Sequence, residues 1–180
     1  MRDPKGFTLI ELLIVVAIIA IIAAIAIPGL LRARIAANEA SAIGSMRAVN
    51  SAQLNYSATC AHGYAADLLE LSKAPNPGGQ GFISPDLGAT NPVVKSGYSM
   101  TYTEGVVVPG ALGSCTAPNS GGPAPVTSYT LTADPVAFTS SGSRNFGTSE
   151  LQTIYYIEGA ASTTVAFNAS GQSTNGQALK

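Results

Sequence analysis

The sequence predicts an α+β fold: one long N-terminal α-helix laid on a head built around an antiparallel β-sheet. Three observations carry the prediction. An unbroken apolar run opens the chain, an amphipathic helical pattern continues it, and short alternating segments separated by Gly and Pro fill the remainder. The 180 residues suffice for one domain with an extension.

From Leu12 to Leu31 there is no charged or hydrogen-bonding side chain, and thirteen of these positions are Leu, Ile or Val. As a helix rising about 1.5 Å per residue, the run matches a hydrocarbon core of about 30 Å. At roughly −0.3 to −0.6 kcal/mol each, the branched aliphatics outweigh one carboxylate near the membrane edge, Glu11, even at about 3 kcal/mol. The segment is expected to insert into a membrane. A cleaved secretory signal is the competing reading, because Arg2 and Lys5 form a basic start. Against it, the run exceeds the usual apolar core of roughly 7–15 residues, and no A-x-A site followed by polar sequence closes it. Positive charge leaves the orientation tied, with Arg2 and Lys5 before the span and Arg32 and Arg34 after it.

Helical spacing continues beyond the span. Ile35, Ala42, Ile43, Met46, Val49 and Leu54 fall within an arc of about 140° on a helical wheel. Arg34, Ser41, Ser45, Arg47, Ser51 and Asn55 lie outside it, while Glu39 and Asn50 interrupt it. The abundance of alanine favours helix as far as the connector. The expected element is one helix over residues 7–57, roughly 75 Å long, membrane-spanning over about 7–31 and packed on the head through its second half.

Residues 58–180 form the predicted head, with a connector over 58–92 and the sheet over 93–170. Within the connector, 66–72 can form a short helix and "APNPGGQG" reads as loop. "GYSMTYT" alternates Tyr98, Met100 and Tyr102 against Ser99, Thr101 and Thr103; "SYTLTAD" alternates Tyr129, Leu131 and Ala133 against Thr130 and Thr132. "TIYYIEG" and "TTVAFNASG" are the remaining strand candidates, with a hairpin turn over 159–162. Asp134 before Pro135 reads as a turn residue. Cys60 and Cys115, an even count in a Ser/Thr/Gly-rich region, suggest a disulfide in an oxidising compartment, two independent buried thiols being the alternative. A bridge would close a loop of about 56 residues and point the head outward.

The head offers little to catalysis. The single histidine, His62, reads as a solvated loop residue, and Cys60-x-His62 is a poor metal pair without a second cluster. Among the head carboxylates only Asp67 and Glu70 lie within three positions, so the spacing of a calcium loop is missing. No Gly-rich loop has the setting of a phosphate or dinucleotide site, and the tyrosines read as packing. A net charge of −1 argues against capture of nucleic acid. No catalytic residue, metal or cofactor is expected. Gly6, Phe7, Glu11 and Pro28 remain as the residues that break local rules; Pro28 removes a hydrogen bond to the Ala24 carbonyl, and Gly29 weakens the turn further.

The residues "KGFTLIELLIVVAIIAIIAAIAIPGLLRARIAAN" resemble the class III signal of type IV pilins and of their relatives, the type II secretion pseudopilins. The likeness covers about the first 55 residues closely; the head is similar in architecture. It implies a leader over residues 1–6, cut by a prepilin peptidase between Gly6 and Phe7 on the cytoplasmic side, and methylation of the new Phe7 amine. It breaks the orientation tie, with the leader inside and the head in the periplasm. The subunit would sit in the inner membrane until an assembly platform and an assembly ATPase extract it into a helical homo-oligomeric filament. In that filament Glu11 would neutralise the Phe7 amine of a neighbour, and Pro28 with Gly29 would mark where the helix kinks or melts on extraction.

The resemblance therefore implies a structural subunit, the major one, of an extracellular type IV pilus serving adhesion or motility, with no enzymatic activity and no direct nucleic-acid binding. A pseudopilin is the second reading and a membrane-anchored periplasmic enzyme a remote third. Two features depart from the family pattern. Ala48 stands where many members place a second helix-bending proline. The Cys60 and Cys115 pairing would tie the helix end to the middle of the head, which leaves the C-terminal strands without a covalent clamp.

Overall fold

A computed structural model describes residues 6–60, 63–75, 78–111, 113, 122–159 and 163–179. The chain opens with α1 (Leu9–Cys60), which stays α-helical through Pro28. Two short helices follow, α2 (Leu68–Ser72) and α3 (Pro85–Gly88). Six strands complete the head: β1 (Val93–Lys95), β2 (Tyr98–Glu104), β3 (Tyr129–Pro135), β4 (Arg144–Ser149), β5 (Ile154–Glu158) and β6 (Gln177–Ala178). They form one sheet in sequence order, each antiparallel to the next. The predicted α+β class and the helix-on-sheet layering are what the molecule adopts.

Only the second half of α1 packs on this sheet. Glu39, Ala42, Met46, Val49, Gln53, Tyr56 and Cys60 are buried and recur at steps of three and four, which keeps them on one face of the helix. Against them lie Tyr98, Met100 and Tyr102 from β2, Tyr129, Leu131 and Ala133 from β3, and Phe146 from β4. Tyr129 bridges two ring contacts, edge-on to Tyr64 at 5.0 Å and stacked on Tyr102 at 5.8 Å. The tyrosines pack as expected.

The buried face differs from the apolar arc in its polar members. Leu54 is exposed, whereas Ser45 and Gln53 are buried. Gln53 Oε1 accepts from Ala65 N–H at 2.8 Å and its amide donates to the Tyr102 hydroxyl at 2.8 Å. Asn50 Nδ2 donates to Thr148 Oγ1 at 2.9 Å while its Oδ1 accepts from the Tyr129 hydroxyl at 3.0 Å. A wheel scored by hydropathy misses such residues, because burial is tolerable once each polar atom has a partner.

The sheet also departs from expectation at both ends and in its middle. β4 carries the sequence "RNFGTS" and has no alternation to read, because it is covered on both faces. Its outer cover is the segment 163–176, of which residues 163–171 are the predicted strand "TTVAFNASG". That segment instead crosses the face of the sheet remote from α1, with Asn145 donating to the Thr163 carbonyl and Ser149 to the Gly171 carbonyl. Val165 presses where a Cβ on Gly147 would stand, so the strap needs glycine there. Leu179 N–H then donates to the Ile154 carbonyl beside β6, which extends the sheet beyond residue 170. The C-terminal strands are thus clamped by packing and hydrogen bonds. β1, with three residues, and β6, with two, are too short for a periodicity to register.

Asp134 lies within β3, opposite Ser99, and not in a turn. α2 starts at Leu68 with Asp67 as its N-cap, and α3 opens on a proline. α1 runs three residues beyond the expected end, to Cys60, which is buried and disulfide-bonded. Cys115, His62 and residues 160–162 of the predicted hairpin turn lie outside the described residues.

Candidate functional site

The candidate site is the N-terminal half of α1, where the rule-breaking residues fall. Gly6, Phe7 and Thr8 precede the helix in non-helical backbone. Phe7 is 79% exposed, and every large apolar side chain from Leu9 to Leu31 is exposed as well. This is the helix long and apolar enough to cross a membrane. So much uncovered hydrocarbon has no stable place in water and needs lipid or a protein partner around it.

Thr8 and Glu11 make a reciprocal cap at the start of the helix. The Thr8 backbone N–H donates to Glu11 Oε2 at 2.9 Å, and the Thr8 hydroxyl donates to the same oxygen at 2.7 Å. Glu11 N–H donates back to Thr8 Oγ1 at 3.3 Å. This is a capping box, Thr at N-cap and Glu at N3. The sequence reading left Thr8 unused, although T-x-x-E before an apolar run is the signal for it. Through the cap, Glu11 takes a defined rotamer beside Phe7, with a carboxylate held in an otherwise apolar segment.

Pro28 and Gly29 sit within continuous helix, and a Cβ on Gly29 would meet nothing within 4 Å. Open space around Gly29 gives it no packing reason to be glycine. What remains is its effect on the backbone, added to the hydrogen bond that Pro28 cannot donate. Gly6, Phe7 and Glu11 thus lie together at one end of the span, and Pro28 with Gly29 near the other. Cys60 is remote from both, at the far end of α1.

Where α1 enters the head, sequence reasoning missed an anchor. Glu39 Oε2 accepts from Arg144 Nη2 at 2.6 Å and Nε at 2.9 Å, and Oε1 accepts from Ser143 N–H at 3.0 Å and Oγ at 2.9 Å. The Arg144 guanidinium lies over Phe146 at 5.3 Å and Tyr156 at 5.6 Å. Burial pushes the Glu39 carboxyl upward, but the Ser143 and Arg144 hydrogen bonds outweigh it and hold it below the usual range. Asn38 donates to the Ser141 carbonyl and Ser41 to Ser96 Oγ, both at 2.9 Å, beside this pair. The partners stand roughly a hundred residues downstream, so no local motif could have announced them.

Comparison with known proteins bears on the same N-terminal segment. Residues 1–27 match the model of the prokaryotic N-terminal methylation motif. Over 39 residues at the N-terminus the chain is 72% identical to the type IV wide pilus major component PilA4 of Thermus thermophilus. Over this segment the chain is similar to type IV pilins and carries their N-terminal methylation motif. The likeness to that pilin covers 22% of this chain and 30% of the relative's length, so the head is not part of it. No solved structure matches the chain. Among the described residues no group of three or more His, Cys, Asp or Glu could hold a metal ion.

Proposed function

We propose that this chain is the major structural subunit of a type IV pilus, anchored by α1 in the inner membrane with its head in the periplasm until assembly. A prepilin peptidase cuts between Gly6 and Phe7 and methylates the Phe7 amine. The assembly platform and its ATPase then draw the subunit into a homo-oligomeric filament used for adhesion or motility. The observation that carries this reading is a carboxylate, Glu11, fixed beside Phe7 at the head of an entirely exposed apolar helix. Once the leader is gone, a cation exists at Phe7. In a bundle of such helices, a charge removed from water requires an opposite charge, which Glu11 of a neighbouring subunit supplies. A subunit docked out of register leaves both charges unpaired.

Pro28 and Gly29 serve extraction in this scheme, because the turn between them and Ala24 opens with the least loss of hydrogen bonding. Cys60 pairs with Cys115, closing the connector and the upper head into one covalent loop. The head has no enzymatic role.

The test is electron microscopy of filaments sheared from cells, with mass spectrometry of their subunit. A dominant chain beginning at methylated Phe7 is the expected result. A chain retained in the envelope and missing from surface filaments would overturn the pilus reading in favour of a pseudopilin.

A further inference from the structure

Two arginines in the collar between the span and the head make no ion pair among the described residues. Arg32 and Arg34 stand one and three residues beyond Leu31, about 1.5 and 4.5 Å along the helix axis from the last apolar residue of the run. The polar layer of a bilayer is roughly 5–8 Å thick on each side. Both arginines therefore leave the helix within that layer. Two residues apart, they are about 200° apart around the axis and so emerge on opposite sides of α1.

Both side chains are exposed, and neither takes part in an ion pair among the described residues. The nearest acid above them on the helix, Glu39, has both oxygens committed to Ser143 and Arg144. Glu11 lies about 30 Å below, at the opposite end of the span. The head adds a geometric constraint. Arg32 is seven residues before Glu39 and Arg34 seven before Ser41, so each lies two turns, about 10 Å, beneath a point where the head is tied to α1. The base of the head therefore caps the collar from above while the hydrocarbon ends just beneath it.

We infer that Arg32 and Arg34 form a phosphate-binding collar that captures anionic phospholipid headgroups on both sides of α1 and sets the depth of the unassembled subunit in the membrane. The ligand is the headgroup phosphate, which a guanidinium binds through two parallel N–H donors. The inference rests on the membrane-anchored reading proposed above. On extraction the collar must release these lipids, so it opposes departure until the assembly machinery acts.

The test uses the full-length uncleaved protein in vesicles of equal phosphatidylcholine and phosphatidylglycerol, with native mass spectrometry of the lipid that stays bound. Phosphatidylglycerol should be enriched about five-fold for each arginine at low salt, and the enrichment should fall as salt is raised. Arg32→Gln/Arg34→Gln should remove the share of the enrichment that these two arginines supply and leave what Arg2 and Lys5, at the opposite end of the span, attract. Arg47→Gln, an exposed arginine about 20 Å higher along α1, should change nothing. Equal enrichment in the double variant, or an equal loss in Arg47→Gln, overturns the collar. Wild-type protein that fails to float with the vesicles overturns the membrane reading itself, whereas insertion without enrichment overturns the collar alone.

Discussion

Helix α1 carries two glutamates that meet opposite fates. Glu11 lies in the exposed half, where its partner is Thr8 in its own first turn. Glu39 lies in the half covered by the head, held by Ser143 and Arg144. The same residue type in one continuous helix thus has a local partner in one half and a tertiary partner in the other. What differs is the medium. The second half has found its permanent solvent in the sheet, while the first half exposes hydrocarbon that the folded subunit does not cover. Glu39 belongs to folding, whereas Glu11 is, on the reading proposed above, the carboxylate that meets a partner outside the monomer.

The comparison breaks most visibly at Glu11. Glu11→Val should leave membrane insertion intact, since it only replaces a charge at the start of the span with an apolar side chain, yet reduce surface filaments by ten-fold or more. Quantitative immunoblotting of sheared filaments against membrane-bound subunit reads the ratio. Normal filament yield from this variant would show that the Phe7 amine needs no carboxylate.

At Glu39 the expected loss is one of stability. Glu39→Ala leaves Arg144, half-buried against Phe146 and Tyr156, without its counter-charge, and the loss should be about 3 kcal/mol, the low end for a buried pair because Arg144 is partly exposed. Thermal denaturation of the full chain in detergent measures it. The pH dependence follows the same pair. With its carboxyl held below the ordinary value, Glu39 contributes stability above about pH 4.5 that is lost as the pH falls through its lowered value.

How much of this the sequence announced depends on the range of the signal. The apolar run, the alternating strands β2 and β3, the aromatic-rich segment that forms β5 and the motif around Gly6 and Glu11 are local patterns, and each was legible. β4 was not, because a strand covered on both faces loses its alternation and Gly147 masks it further. The Glu39 and Arg144 pair was illegible for a different reason. Nothing near Glu39 in the chain distinguishes a carboxylate that will meet an arginine from one that will meet water. The cap at Thr8 is a local pattern too, since T-x-x-E before an apolar run is its signal.

Asp134 provides a third carboxylate with the opposite sign. It lies on the sheet face turned away from α1, and its Oδ1 is buried without a hydrogen-bond partner among the described residues. Burial raises its pKa to about 6. The native state then binds more protons than the unfolded chain between about pH 4 and 6, so this group makes stability fall as pH rises through that window. Asp134→Asn should remove the fall and stabilise the head at pH 7 by about 1 kcal/mol, a figure reduced for partial exposure. Urea titrations at pH 4, 5, 6 and 7 would show it; a wild-type profile that rises from pH 5 to 7 would contradict the assignment.

The smallest effect separates the two roles open to Glu11. Thr8→Ala removes the hydroxyl that donates to Glu11 Oε2 and accepts from Glu11 N–H, but it keeps the bond from the residue 8 backbone N–H. Because the head holds the other end of α1, the loss should stay within the first turn. The amides of residues 9–12 should exchange about three- to five-fold faster in micelles, in line with loss of an N-cap hydroxyl, and Thr8→Ser should restore them. Filament yield should fall far less than in Glu11→Val, because the carboxylate that meets the neighbouring amine is still present. If Thr8→Ala lowers assembly as severely as Glu11→Val, then Glu11 acts by capping its own helix. The contrast between a glutamate kept for folding and one kept for assembly would then fail at its assembly end.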